Sequence, residues 1–299
     1  MANVTTSEVG DSLATIVAAE ALGRLRSNSI LSRLVARDWD ANVASYGQVV
    51  KIPFRGSLSV NDKAANTVYT LQAPDDTAIS VTLNKHKEVS FLIEDLAAAL
   101  ARPDFLMGYI DDAVIAIAEQ IDGDIAALYS GLSQSIDASG VAGPLDSSDF
   151  IEARRLLSVA KAPMTDRVAV LHPTAAAELL ADAKFTNRDY RGPAEESALK
   201  TGFLGQYAGF TCYEDQNIKV STTQRNLFMH KNAFCLVTRP LPAPQTGTGV
   251  ITKVMDEDGV GLRVMISYQH TYGGHMVTID TLYGVAELRD NHGVVVLTD

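Results

Sequence analysis

The chain has 299 residues, of which 46% are hydrophobic and 20% charged, so it can form one large domain or two ordinary ones and is too apolar to be intrinsically disordered. Its formal net charge of −11 excludes nucleic-acid binding through a general basic surface, because phosphate binding needs clustered Lys and Arg. The charge does not exclude a container whose wall does not adhere to nucleic acid.

The two cysteines, Cys212 and Cys235, are too few for a disulfide framework and lack the spacing of a metal site. They indicate a reducing cytosol and buried apolar side chains. No segment approaches the roughly 18 apolar residues of a membrane span, and the first residues lack the basic start and apolar centre of a signal peptide. We therefore expect the chain to be cytoplasmic in the cell that makes it.

Residues 11–36 have the apolar spacing of two short amphipathic helices separated by a break near residues 27–29. The apolar positions recur three or four residues apart, at Leu13, Ile16, Val17, Ala21, Leu25, Ile30, Leu31, Leu34 and Val35. Because this stripe precedes any compact domain, it must dock on another surface.

Residues 49–93 form a long ribbon with period-two patterning, which predicts strands on both sides of a polar tip at residues 61–66. The returning strand is predicted at residues 68–71 and 79–83. A two-stranded hairpin of this length is marginal alone in water, and its open edges favour pairing with another chain. We infer that a neighbouring subunit stabilises the ribbon; the alternative is a hairpin lying on its own domain.

A strand is predicted around residues 89–93, followed by helical turns at residues 94–100. Pro103 then begins the longest predicted helix, since proline fits the first helical turn. Apolar residues repeat at helical spacing from Leu106 to Leu128, which predicts a structural spine of roughly 26 residues, or about 39 Å. Its solvated face is predicted to carry Asp111, Asp112, Glu119, Gln120, Asp122 and Asp124.

Residues 131–148 are rich in Ser, Gly and Asp and indicate a loop and domain boundary. The pattern beyond it predicts a mixed α/β subdomain that ends in a stiff, proline-rich connector at residues 239–244. Its predicted elements are a helix opened by the capping pair Asp149 and Glu152 and running through Ala160, a strand at 167–171, a helix at 173–183, a loop at 186–197, a glycine-punctuated turn at 202–210, and strands at 226–230 and 233–238. The last 50 residues predict β-structure with turns at 256–259 and 273–274.

In this order, the elements resemble a tailed-bacteriophage major capsid protein of the Hong Kong 97 fold. Four pieces carry the resemblance: residues 34–53, the helix after Pro103, residues 167–173 with the turn at 202–210, and the closing strands from Gly261. The resemblance implies an α+β fold divided into an N-terminal arm (1–45), an extended loop (46–88), a peripheral domain with the spine helix (89–135), an axial domain (136–245) and closing strands shared by both domains (246–299).

The resemblance also implies an icosahedral shell of pentamers and hexamers, enclosing double-stranded DNA without sequence-specific binding, with the extended loop lying over a neighbour. Expected partners are other copies of the chain, a separate scaffolding protein, a portal protein and, in some shells, a decoration protein. Some family members carry a charged N-terminal scaffold that is cleaved, whereas this chain starts its arm at once, so we expect no large N-terminal cleavage. Shell maturation in the family bends the spine helix, which makes Gly108 and Gly123 candidate soft points.

The basic residues Arg55, Lys63, Lys85 and Lys87 are candidate subunit contacts on an otherwise acidic protein. Protection of an open strand edge by lysine is the alternative interpretation. We identify no catalytic, cofactor-binding or metal-binding residues: His270 and His275 flank a turn, where a zinc site would need three or four converging ligands. An encapsulin-like compartment with the same fold is the alternative function, and an α/β hydrolase is a weaker one because no nucleophile and base can be paired.

Overall fold

A computed structural model describes residues 21, 29–39, 49–54, 58–73, 77–95, 103–138, 143–182, 205–245, 249–257 and 260–299. Predictions for the first arm helix, Arg55, the 186–197 loop and residues 202–204 lie outside this part of the chain. The helices are α1 (Leu31–Leu34), α2 (Pro103–Ala126), α3 (Ser147–Val159) and α4 (Pro173–Ala181). The strands are β1 (Val49–Phe54), β2 (Thr77–Thr82), β3 (Lys85–Glu94), β4 (Gln134–Asp137), β5 (Arg167–Leu171), β6 (Gln206–Tyr207), β7 (Phe210–Glu214), β8 (Gln224–His230), β9 (Phe234–Thr238), β10 (Val250–Glu257), β11 (Val260–Gln269), β12 (Gly274–Glu287) and β13 (Gly293–Thr298).

Two large sheets organise the described residues. The first has the order β10-β11-β12-β3, and β9 also pairs with the far end of β12. The second has the order β4-β13-β8-β5-β7-β6 and mixes parallel with antiparallel neighbours. The strand β12 is 14 residues long, so it can pair with β3 along its first part and with β9 along its second. Of the closing strands, β10, β11 and β12 belong to the first sheet and β13 belongs to the second.

The spine helix, α2, contributes eight of the 25 described buried residues of the largest hydrophobic core, which also contains residues from both sheets. It begins at Pro103, as predicted, and its 24 residues span about 36 Å at 1.5 Å per residue. Ile117, Ile121 and Ile125 are buried in the same cluster as Ile279 of β12 and Leu227 of β8. Burial of this continuous apolar face is the reason the helix forms. None of the described helices is both long and apolar enough to cross a bilayer.

A second core lies on the other face of the six-stranded sheet, where α3 and α4 pack. Phe150 of α3 meets Phe228 of β8 edge-on, with ring centroids 4.7 Å apart, and Phe210 of β7 lies 5.3 Å from Phe228. Cys212 is buried here, whereas Cys235 is buried in a third cluster beneath β1 and β2. Both cysteines therefore serve as the small apolar residues that the sequence predicted.

Three local predictions were wrong. The helix α3 begins at Ser147, and Asp146 is its N-cap in a capping box with Asp149, so the capping pair lies three residues earlier than expected. The segment 131–148 was predicted as loop but contains β4, a four-residue strand that exists because it pairs with β13 at the far end of the chain. Residues 68–71 alternate like a strand but form none.

Asp122 was also assigned wrongly, to the solvated face of the spine helix. Its side chain is completely buried, whereas Asp112, Glu119 and Gln120 are exposed as expected. Helical spacing alone places residue 122 beside the apolar face, between Ala118 and Ile125. A buried carboxylate needs hydrogen-bond donors, and these come from the segment before α1.

Candidate assembly interface

The base of the ribbon is a short antiparallel pair that rests on its own subunit. In β1 and β2, Val50 lies opposite Val81 and Ile52 opposite Ile79. The side chains of Val50, Ile52 and Val81 are buried against Val237 of β9 and against Leu288. Within the described residues, β1 pairs only with β2, and Pro53 fits such an edge strand. The base thus follows the alternative interpretation of a hairpin on its own domain.

A glycine sets how closely the ribbon approaches the five-stranded sheet. A Cβ atom on Gly284 of β12 would lie 2.4 Å from the backbone oxygen of Thr82, which is far inside van der Waals contact. On the other side of the base, the guanidinium of Arg289 stacks over the Phe54 ring at 4.6 Å from the centroid. The base is therefore fixed by backbone contact, apolar burial and a cation–π contact.

The distal part of the ribbon, residues 58–73, is held by its own hydrogen bonds. The Ser59 backbone N–H donates to Gln72 Oε1 at 2.9 Å, and Gln72 Nε2 donates to the Ser59 carbonyl at 2.7 Å. At the tip, the Lys63 ammonium donates to the Ala64 carbonyl at 2.9 Å and to Thr67 Oγ1 at 3.1 Å. We call residues 58–73 the loop tip. These hydrogen bonds link residues across the tip without strand pairing.

The loop tip exposes almost all of its large apolar side chains. Val60 is 98% exposed, Leu71 93% and Val68 91%, and Leu58 and Tyr69 are also exposed. A soluble monomer exposes single apolar residues routinely, but a cluster on one protruding segment marks an interaction site. The tip lies between β1 and β2, whose buried residues end at the base of the ribbon. Its chemistry fits contact with another protein surface.

The basic residues proposed as subunit contacts lie in different places. Lys63 belongs to the loop tip, where its ammonium also lies 5.2 Å from the centre of the Tyr69 ring. Lys85 and Lys87 belong to β3 in the five-stranded sheet. Lys85 Nζ lies 3.1 Å from Asp124 Oδ2, so its charge has a partner within the chain. Of the three candidates within the described residues, only Lys63 therefore belongs to the segment that carries the exposed apolar residues.

The contact of Lys85 with the spine helix is part of a small polar network. The Tyr283 hydroxyl of β12 donates to Asp124 Oδ2 at 2.7 Å. Burial disfavours the charged carboxylate, but the hydrogen bonds from Tyr283 and Lys85 outweigh it and hold the pKa of Asp124 below its ordinary value. Burial and the same carboxylate raise the pKa of Tyr283. The network ties the spine helix to β3 and β12.

The candidate soft points lie in α2. Gly123 is buried, and the nearest atom to a Cβ placed there is the Lys219 ammonium nitrogen at 3.3 Å, the far end of a flexible side chain. An alanine would therefore fit with a small movement of Lys219. Gly108 lies in the first part of the helix. Both glycines stay candidates for helix bending.

The part of the chain that the structure describes contains no candidate metal site. No three His, Cys, Asp or Glu side chains converge there. His275 instead packs edge-on against Tyr268, with centroids 5.1 Å apart, in the hairpin that joins β11 and β12.

Sequence reasoning missed a buried histidine pair between the two sheets. The His230 and His292 rings meet at right angles with centroids 5.7 Å apart. His292 follows β12 and His230 ends β8, so 62 positions separate them, and no spacing rule connects them. Burial, with Arg289 and other basic neighbours, lowers the pKa of His292 to about 4.

Comparison with known proteins identifies similar families and structures. A family model described as phage capsid protein matches residues 46–236, which is well over half of the chain. A structure from Mycobacterium phage Che8 is 20% identical with a TM-score of 0.66, covering 90% of both chains. The capsid of cyanophage P-SCSP1u is 16% identical with a TM-score of 0.67, covering 91% of this chain and 88% of that one.

A compartment protein also shares the fold. The holo-SrpI encapsulin complex from Synechococcus elongatus PCC 7942 is 12% identical with a TM-score of 0.54, covering 89% of both chains. No curated protein matches the chain. These identities are low enough that the solved structures establish the fold alone, whereas the family model establishes the family.

Proposed function

Because the chain belongs to the phage capsid protein family over residues 46–236 and has the Hong Kong 97-type fold, it is a major capsid protein, and we propose that its copies close into an icosahedral head of pentamers and hexamers. The mechanism is assembly by repeated heterologous contacts between identical subunits. No chemical step is part of this proposal, and we propose that the chain is not an enzyme.

The observation that carries the proposal is the exposed loop tip. Val60, Val68 and Leu71 are each more than nine-tenths exposed in the subunit, although the tip has a defined hydrogen-bonded shape. Burying one such side chain contributes about 1.5–3 kcal/mol. A neighbouring subunit that covers the tip would recover this free energy, and repetition around the shell would add the contributions of many weak contacts.

The sheets support an assignment of the expected domains. In this proposal the five-stranded sheet and the spine helix form the peripheral domain, and the six-stranded sheet with α3 and α4 forms the axial domain. Residues 246–299 serve both, because β10 to β12 belong to the first sheet and β13 to the second. The spine helix, which packs with residues of both sheets, then links the two domains.

The proposal includes partners and contents. A separate scaffolding protein would guide assembly in the host bacterial cytoplasm, a portal protein would occupy one vertex, and a decoration protein would bind the outside in some shells. The head would enclose double-stranded DNA without reading its sequence. The net charge of −11 supports a wall that does not hold DNA tightly.

Electron microscopy with light scattering on the full chain, alone and with the candidate scaffolding protein, tests the function. Closed shells tens of nanometres across, or rings of five and six subunits, are expected. A monomer or dimer under every condition would contradict the proposal. Shells that form without scaffold and selectively enclose a co-expressed enzyme would instead favour the encapsulin alternative.

A further inference from the structure

The spine helix carries one carboxylate that is completely buried and bonded to the segment entering α1. Asp122 Oδ1 accepts from Ser29 Oγ at 2.8 Å and from the Ser32 backbone N–H at 3.1 Å. Asp122 Oδ2 accepts from the Ile30 backbone N–H at 2.6 Å. Three donors from four consecutive residues therefore converge on one side chain that lies about 90 positions further along the chain.

Asp122 does the work that an N-cap side chain would normally do. The first N–H groups of a helix have no partner within it and need an acceptor. The N-cap of α1, Ile30, has no side chain that can accept, and no side-chain cap is present. A helix of four residues is unstable by itself. The position of α1 therefore depends on Asp122 and on burial of Leu31 and Val35 in the main core.

The charge of Asp122 has little compensation. Burial raises the pKa of Asp122 to about 6, although the bonds from Ile30 and Ser29 oppose this, and the nearby Asp215 carboxylate raises it further. Burial also raises the pKa of Asp215, whose Oδ2 has no hydrogen-bond partner among the described residues. Two basic side chains within the described residues lie close by: Arg33 donates to the Ser29 carbonyl at 3.0 Å, and the Lys219 ammonium lies beside Gly123.

We propose that Asp122 is the positioning residue that locks the N-terminal arm, at residues 29–35, onto the spine helix. The lock lies next to Gly123, the candidate soft point. A bend of the helix at Gly123 turns Asp122 relative to its three donors, so spine bending and arm release are coupled. This coupling rests on the proposed function, whereas the lock itself is a property of the single subunit.

The lock has a pH dependence whose sign follows from the buried charge. When the arm is released, Asp122 is exposed to water and its pKa returns toward 3.8. The docked state therefore binds the proton more tightly, and docking strengthens as pH falls through about 6. Linkage predicts that the docking constant increases about fourfold between pH 8 and pH 5.5.

Hydrogen exchange of the unassembled full-length subunit tests the lock. Protection factors of the Ile30 and Ser32 amides, corrected for intrinsic exchange, should be about fourfold higher at pH 5.5 than at pH 8. Asp122→Ala, which removes every acceptor atom of this side chain, should lower the protection of Ile30 about tenfold and should remove the pH dependence. Asp112→Ala, at an exposed carboxylate of the same helix, is the matched control and should change neither.

Ser29→Ala provides a milder variant that keeps the fold. It removes one hydrogen bond that stabilises the charged carboxylate, so the midpoint of the pH profile should move to higher pH. Equal protection in wild type and Asp122→Ala, or a pH profile that Asp122→Ala and Ser29→Ala leave unchanged, would overturn the lock. Because these measurements use unassembled subunits, failure of the lock is distinguishable from failure of shell formation.

Discussion

Replacing Leu71 with serine tests the assembly role of the loop tip without disturbing the subunit. Leu71 is 93% exposed and Val68, three residues earlier, is 91% exposed, so neither side chain contributes to the subunit core. Surface substitutions of this kind change the free energy of unfolding by no more than about 0.5 kcal/mol. We therefore expect the melting temperature of the unassembled subunit to stay nearly constant.

The effect on assembly should be much larger. If a neighbouring subunit buries Leu71, the substitution removes about 2 kcal/mol from each contact, which corresponds to a change of about 30-fold in an association constant. The concentration at which shells first form should rise by a similar factor. Light scattering over a concentration series, with electron microscopy of the products, measures this threshold.

Thr70→Ser is the matched control, because Thr70 is exposed in the same segment and loses only a methyl group. Its assembly threshold should stay within about threefold of wild type, as expected for less than 1 kcal/mol. An unchanged threshold for Leu71→Ser, with wild-type shells, would refute the argument that the exposed tip is buried between subunits.

Three further predictions follow from single positions. Gly284→Ala should destabilise the subunit by about 1–3 kcal/mol, because the new Cβ overlaps the Thr82 carbonyl. Thermal melting checks this, and an unchanged melting temperature would contradict the close contact between β12 and the base of the ribbon. Gly123→Ala should stabilise the spine helix by up to about 1 kcal/mol and slow shell expansion, and expansion at the wild-type rate in time-resolved scattering would disprove its role as a soft point. The folded-state pKa of His292, about 4 against 6.5 for an exposed histidine, means that its contribution to stability is lost as pH falls from about 6.5 toward 4. His292→Gln should therefore reduce, by on the order of 1 kcal/mol, the drop in unfolding free energy between pH 7 and pH 5; the same drop in wild type and variant would contradict this role of His292.

Local patterns in the sequence were enough to predict the helices and strands that carry a regularly repeating buried face. Pro103 marked the start of the spine helix because its missing N–H and fixed backbone angle suit a first turn. The apolar repeat that follows predicted the buried face, and the alternation around Val89 and in the closing strands predicted β3 and β10 to β13. The order of these elements was enough to suggest the capsid fold, which the family match to residues 46–236 confirms.

The tertiary structure alone decided features that depend on residues far apart in the chain. The strand β4 forms because β13 lies beside it, and residues 68–71 stay outside any strand because no partner strand lies beside them among the described residues. Asp122 was assigned to solvent because it is charged, and no local pattern shows that Ser29, Ile30 and Ser32 pack against it. A hydrogen-bond partner 90 positions away has no signature in a local pattern, since only the folded chain brings donor and acceptor together.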